Sequence, residues 1–254
     1  MAKQYITDFN IHVSRENVQG ANFLHRAFLS GTFSTEQTVW NSGTIWVPPS
    51  AASTMTVVST SANDVAAGTG ARTVSVAGLD ANYLEISETI TMTGLTPVTT
   101  TKSYLRIHRL TVVTAGTSKS NEGVISISNT SLQGSIIAMA GQSSFSIYTI
   151  PANKIGYLHN LHLTSSKSTD GKFMLRTCLN GVSRIRHTAL LTGGQYDVEF
   201  TYPTVLPAGT DIEMRAVATT GNGVVAGSYD IFLVDKPIST IGGTGIPDVV
   251  TFPL

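Results

Sequence analysis

Six histidines are the first residues to weigh as ligands or proton carriers: His12, His25, His108, His159, His162 and His187. Only His159 and His162 lie close together. On a strand, residues three apart point to opposite faces, so this pair is not expected to share a metal ion. Asp64, Asp170 and Asp211 stand beside glycine or small residues, where an aspartate bonds backbone N–H groups in a turn. No alternating Asp or Asn run with a distal Glu accompanies them, which argues against a calcium loop. Gly141-Gln142-Ser143-Ser144 lacks the second glycine of a nucleophile elbow and the strand-turn-helix around it. Gly68-Thr69-Gly70 leads into a strand-like run instead of a helix N-terminus, so no phosphate cradle is expected there. Glu85 shares its face with Ser87 and not with Glu88, leaving paired-carboxylate chemistry on a sugar to tertiary accident. Asn129-Thr130-Ser131 matches a glycosylation acceptor, a match without meaning unless the chain is secreted. Cys178, the single cysteine, sits among Met174, Leu175 and Leu179 and reads as a buried thiol. No catalytic, cofactor or metal site follows from these residues, and the chain is not expected to be an enzyme.

The elements that would position any such groups read as β structure. Apolar residues recur at strand spacing, with Gly, Pro, Asn or Asp between the runs, and no long segment holds helical spacing. Val74 and Val76, then Leu84, Ile86, Ile90 and Met92, predict two strands around Gly78-Leu79-Asp80, and residues 104–113 continue the sheet. After Asn129 eight strands are expected: 136–140, 145–150, 156–164, 173–179, 184–191, 196–202, 212–218 and 229–234. Eight short antiparallel strands suit a jelly roll. A faint repeat joins the halves, because the step from Pro48 to Pro151 equals that from Gly78 to Gly181. These readings predict an all-β chain of two tandem antiparallel, jelly-roll-like β-sandwich domains, 34–130 and 131–238. An N-terminal arm (1–33) and a C-terminal tail (239–254) extend from them.

Composition describes the surface of this chain of 254 residues. Sixteen basic and sixteen acidic residues cancel, and charged residues make up 13% of the chain against about 25% in ordinary soluble domains. A broad nucleic-acid-binding surface is not expected. No apolar run is long enough for a membrane helix, and none follows Lys3 as a secretory signal would require. Serine and threonine supply about a quarter of the chain, and threonine suits a half-buried pleated surface. A neutral surface of this kind lacks the repulsion that keeps free proteins apart, so it tolerates close neighbours. Trp40, Trp46 and the tyrosines Tyr148, Tyr157, Tyr196 and Tyr202 read as core filling or as a carbohydrate platform.

Two basic clusters stand out on strands. Arg106, His108 and Arg109 interleave with Ile107, and Arg184, Arg186 and His187 with Ile185. Alternation puts two cations on one face, either solvated or in polar contact with a neighbouring subunit. Phe23, Leu24, Phe28 and Leu29 surround His25 and Arg26 in a segment readable as a short helix or an arm. The tail beyond Pro237 interleaves Val249, Val250, Phe252 and Leu254 with glycines and prolines, so it is expected to dock in a groove, its own or a neighbour's. Arg106, Arg109, Arg184, Arg186, Val249, Val250, Phe252 and Leu254 are thus the candidate interface residues.

Segments spread along the chain resemble virion structural proteins of tailed bacteriophages, especially those infecting cyanobacteria and other aquatic bacteria. They are Ala2-Lys3-Gln4-Tyr5-Ile6-Thr7-Asp8-Phe9-Asn10, Ser59-Thr60-Ser61-Ala62-Asn63-Asp64, Gly78-Leu79-Asp80-Ala81-Asn82-Tyr83, and Thr101-Lys102-Ser103-Tyr104-Leu105-Arg106-Ile107. Gly141-Gln142-Ser143 leading into Ile150-Pro151 continues the likeness. The resemblance implies β-rich subunits that decorate or cement a capsid, or build the neck, baseplate or fibres of a tail. The expectation is a capsid decoration (cement) protein assembled in the host cytoplasm and located in the virion. It would be a homotrimer closed by threefold symmetry, with the major capsid protein or other virion proteins as partners and no nucleic acid or membrane. The alternative is a tail, neck, baseplate or host-binding fibre component.

Overall fold

The computed structural model describes residues 12–13, 18–30, 34–220 and 223–236, excluding the side chains of 167–169, 219 and 220. The C-terminal candidates Val249, Val250, Phe252 and Leu254 lie outside the described residues, as does most of the segment before Val18. In chain order the strands are β1 (Ala21–Leu29), β2 (Gln37–Thr38), β3 (Thr56–Ser59), β4 (Ala71–Leu79), β5 (Glu85–Thr91), β6 (Val98–Thr99) and β7 (Arg106–Ala115). They continue as β8 (Ile125–Ser128), β9 (Leu132–Ile136), β10 (Tyr148–Thr149), β11 (Lys154–Leu179), β12 (Val182–Leu206), β13 (Asp211–Thr220) and β14 (Val225–Asp235). Every pairing is antiparallel. The chain is all-β, as its alternation predicts.

One unit is a sandwich of a four-stranded sheet, β6-β3-β8-β9, and a three-stranded sheet, β5-β4-β7. Alternating Val74 and Val76 in β4 and Ile125 and Ile127 in β8 point inward, while Ser75 and Ser126 between them stay partly accessible. Trp40, Trp46, Met55, Tyr104 and Phe145 fill the space between the sheets.

A bulge shapes this unit where it meets the rest of the chain. Ala77 pairs Arg109 and Gly78 pairs Ile107, so His108 is the extra residue of β7. The two backbones come so close there that a Cβ on Gly78 would sit 2.0 Å from the Arg106 carbonyl oxygen. Gly78→Ala is therefore expected to lower stability by about 1–3 kcal/mol, the range for overpacking, read as a fall in Tm.

The second unit is a seven-stranded sheet in the order β1-β14-β11-β13-β10, with β12 on β11 and β2 on β13. Its centre is the β11–β12 hairpin, turned by Asn180 (φ 52°) and Gly181 (φ 75°). Positive φ at both central residues is the geometry Asn-Gly supplies, and its twist matches that of the strands. The register slips between Ser165 and Asp170, opposite Gly193 (φ 63°) and Gly194 (φ 120°). Before the slip β11 pairs β14, and after it β11 pairs β13. Leu161 and Leu163 on one side and Phe173 and Leu175 on the other then share a core with Phe28, Ile212, Met214, Tyr229 and Ile231. Four expected strands, 156–164, 173–179, 184–191 and 196–202, are two continuous ones. The serine- and glycine-rich breaks between them are bulges and not turns.

The units do not follow one another along the chain. Strands β1 and β2 precede the smaller sandwich and β10 to β14 follow it, yet they form one sheet, so the sandwich is inserted into the larger unit. This corrects the expected boundaries of 34–130 and 131–238. Residues 21–29, expected in a helix or arm, pair along their whole length with β14. Strand β9 (Leu132–Ile136), assigned by sequence to the second domain, belongs to the first unit's sheet, and Ile136, Phe145 and Ile147 to its core. The repeat finds no counterpart either, since Gly78 lies inside a strand and Gly181 in a hairpin turn.

Candidate assembly surface

Arg106 was a candidate for contact with a neighbour, but its charge is satisfied inside the chain. Its guanidinium donates from Nε to Oδ1 of Asp211 (2.8 Å) and from Nη2 to Oδ2 (3.0 Å), with both side chains 8% exposed. Nη1 donates to the carbonyls of Pro49 and Leu105, and the Trp46 and Tyr83 rings lie 5.6 and 5.8 Å away. Thr149 Oγ1 adds a 2.6 Å bond to Asp211. This bidentate pair ties β7 of the inserted sandwich to β13 and β10 of the larger sheet. Asp211, read from sequence as a turn aspartate, is half of the joint.

Arg26 forms a second pin across the same boundary. Its Nη2 donates to the carbonyls of His108 and Ile147, and its guanidinium lies 5.3 Å from both the Phe145 and Tyr148 rings. His108 lies between the two arginines, where its Nε2 accepts the Thr149 N–H (3.3 Å) and its ring lies 4.2 Å from that of Tyr148. Burial, with Arg26 and then Arg106 beside it, holds its pKa well below the ordinary 6.5. Folded His108 is thus neutral while the unfolded chain takes up a proton below about pH 6.5. The unfolded state then binds more protons, so stability is full at neutral pH and falls as pH drops through this window. Denaturation midpoints against pH are expected to show this slope, and His108→Gln to flatten it.

The remaining sequence candidates take structural roles or stay on the surface. Arg109 is half-buried and lines an open cleft of about 610 Å³ between β1 and the inserted sandwich, together with Phe23, His25, Arg26, Glu85 and Tyr148. His159 and His162 take separate partners, Glu199 (3.4 Å) and Asp197. Glu88 accepts bonds from the Thr101 and Lys102 N–H groups and from Thr101 Oγ1. Those bonds hold its pKa below the usual carboxylate value despite desolvation, the largest single influence, acting the other way. Trp40, Trp46 and Tyr148 are buried, so none of them offers a sugar platform. Cys178, expected to be buried, is half-buried on β11. Among the described residues no group of three His, Cys, Asp or Glu is arranged to hold a metal ion.

Arg184 and Arg186 do stay exposed, and the strand that carries them is the most unusual surface of the molecule. Strand β12 runs for 25 residues, on the order of 80 Å at about 3.3 Å per residue. It pairs β11 on one side and no described strand on the other. Ile185 (51% exposed), Leu190 (74%) and Tyr202 (88%) project from it into solvent. A long, partly apolar edge whose N–H and C=O groups meet no described strand is a template for another strand. Sequence patterning missed this surface because Gly193-Gly194 reads as a turn and divides the edge in two.

No family model and no curated protein matches the sequence. Among solved structures the chain is similar to the infectious bursal disease virus Gt strain structure at 12% identity and a TM-score of 0.24, over 80% of this chain and 58% of that one. The Gx strain structure is similar at 11% identity and a TM-score of 0.24, over 85% and 73%. Infectious bursal virus derived T=1 particles give 13% and 0.23, over 80% and 56%. The chain thus spans less than two thirds of the Gt strain protein.

Proposed function

We propose that this protein is a structural subunit of a bacteriophage particle, acting through contacts with its neighbours, and within that class a decoration protein that cements the head. The 25-residue edge of β12, which no described strand pairs, carries the reading, because such an edge is suited to a partner strand and is a liability without one. Zero net charge and low charge density support it, since subunits in close array must not repel one another. The segments that resemble virion proteins of tailed phages agree with it. Cement proteins work by contact area and shape match between subunits, which asks for no reactive group.

Quantitative mass spectrometry of purified particles tests the reading. A head decoration protein is expected at copy numbers comparable with the capsid protein, and a tail component at a few per particle. Absence of the chain from washed particles overturns the proposal.

A further inference from the structure

We infer that β12 pairs with β12 of a second copy of this chain, antiparallel and about a twofold axis near Thr192. The inference rests on the assembly reading and names the partner of its central surface. The five residues of β12 with charge or basic character are segregated: Arg184, Arg186 and His187 in the first half, Asp197 and Glu199 in the second. Arg184 and Arg186 lie eight and six residues before Thr192, and Asp197 and Glu199 five and seven after it. An antiparallel copy therefore lays each basic segment alongside the acidic segment of its partner, on both sides of the axis. A parallel copy sets basic against basic and acidic against acidic, which disfavours that arrangement. All four charged side chains are solvent-accessible, Asp197 and Glu199 beside His162 and His159 of β11 and Arg186 bonded through Nε to Thr177.

The centre of the strand suits an axis. Gly193 and Gly194 carry no side chain to hold two backbones apart. Leu190 beside them is 74% exposed and becomes covered when a second strand arrives. A twofold interface is self-complementary, using the same patch on both subunits, and the charge pattern of β12 is that of a patch facing its own copy. The product is a dimer with a continuous sheet, in place of the threefold trimer expected of a cement protein.

The test uses the full chain in analytical ultracentrifugation and in hydrogen exchange at several concentrations. Wild type is expected to dimerise, with β12 amides gaining protection as concentration rises. R184E/R186E and D197K/E199K are each expected to weaken the dimer at least tenfold at low salt. Mixing the two variants is expected to restore dimers, because both sides of the axis regain opposite charges, and that rescue shows that each variant is folded. Four results overturn the inference: a monomer at every concentration, a trimer, a dimer indifferent to both reversals, or β12 amides already protected in a monomer by the chain's own segments. Failure to find the chain in particles overturns the particle reading and leaves this pairing standing; loss of the dimer does the reverse.

Discussion

Asp64→Ala is expected to remove at least about 4 kcal/mol of stability and to unfold the inserted sandwich first. The Asp64 carboxylate is fully buried and accepts four hydrogen bonds. Oδ1 takes the N–H groups of Ala71 (2.7 Å) and Glu122 (2.8 Å), and Oδ2 takes the Ser59 hydroxyl (2.6 Å) and the Gly123 N–H (2.9 Å). One side chain thus closes the loop before β4 onto the loop before β8. Alanine strands these donors, each worth about 1–3 kcal/mol when buried without a partner, and the penalties do not simply add. A loss of that size is a large share of the usual 5–15 kcal/mol. Trp40 and Trp46 both sit in this core, so tryptophan fluorescence reads its unfolding directly. Asp64→Asn is expected to fall between, because Ser59 can reverse its hydroxyl toward an amide nitrogen while the Gly123 N–H cannot. A change below 1 kcal/mol for Asp64→Ala contradicts this account.

Arg106→Ala is expected to cost about 3–5 kcal/mol and to uncouple the two units. Removing one partner of a buried ion pair leaves the other charge without compensation, and among the described residues Asp211 then keeps the Thr149 hydroxyl alone. Lysine cannot reproduce the two-pronged contact, so Arg106→Lys is expected to recover only part of the loss. Removing Asp211 as well abolishes the stranded charge, and the double variant is expected to be less damaged than the sum of the two single changes. Denaturation followed by tryptophan fluorescence and by far-ultraviolet dichroism should coincide in wild type and separate in Arg106→Ala. Coincident curves in that variant would show that the pair does not join the units.

Much of the strand content was legible because one face of each short strand is buried. The Val74-Ser75-Val76 and Ile125-Ser126-Ile127 patterns record that directly. Strand β1 was hidden because its inward positions include Arg26, a charged residue that two carbonyls and two aromatic rings make tolerable inside. Asn180-Gly181 is a hairpin signal present in the sequence, whereas Gly193-Gly194 looks the same locally and does the opposite, bending a strand without ending it. The turn role expected of Asp64 is partly right: it bonds backbone, but backbone of two loops far apart in sequence. Arg106 and Asp211 lie 105 residues apart, and no local pattern links them.

Insertion of one unit into the other sets an order for biosynthesis. His25 on β1 meets Asp230 on β14 across 205 residues. At about 5–20 residues per second, a nascent β1 therefore waits some tens of seconds for its neighbour to leave the ribosome. The strands of the inserted sandwich, β3 to β9, all emerge within that interval, so they have their partners while the older strand beside them still lacks its own.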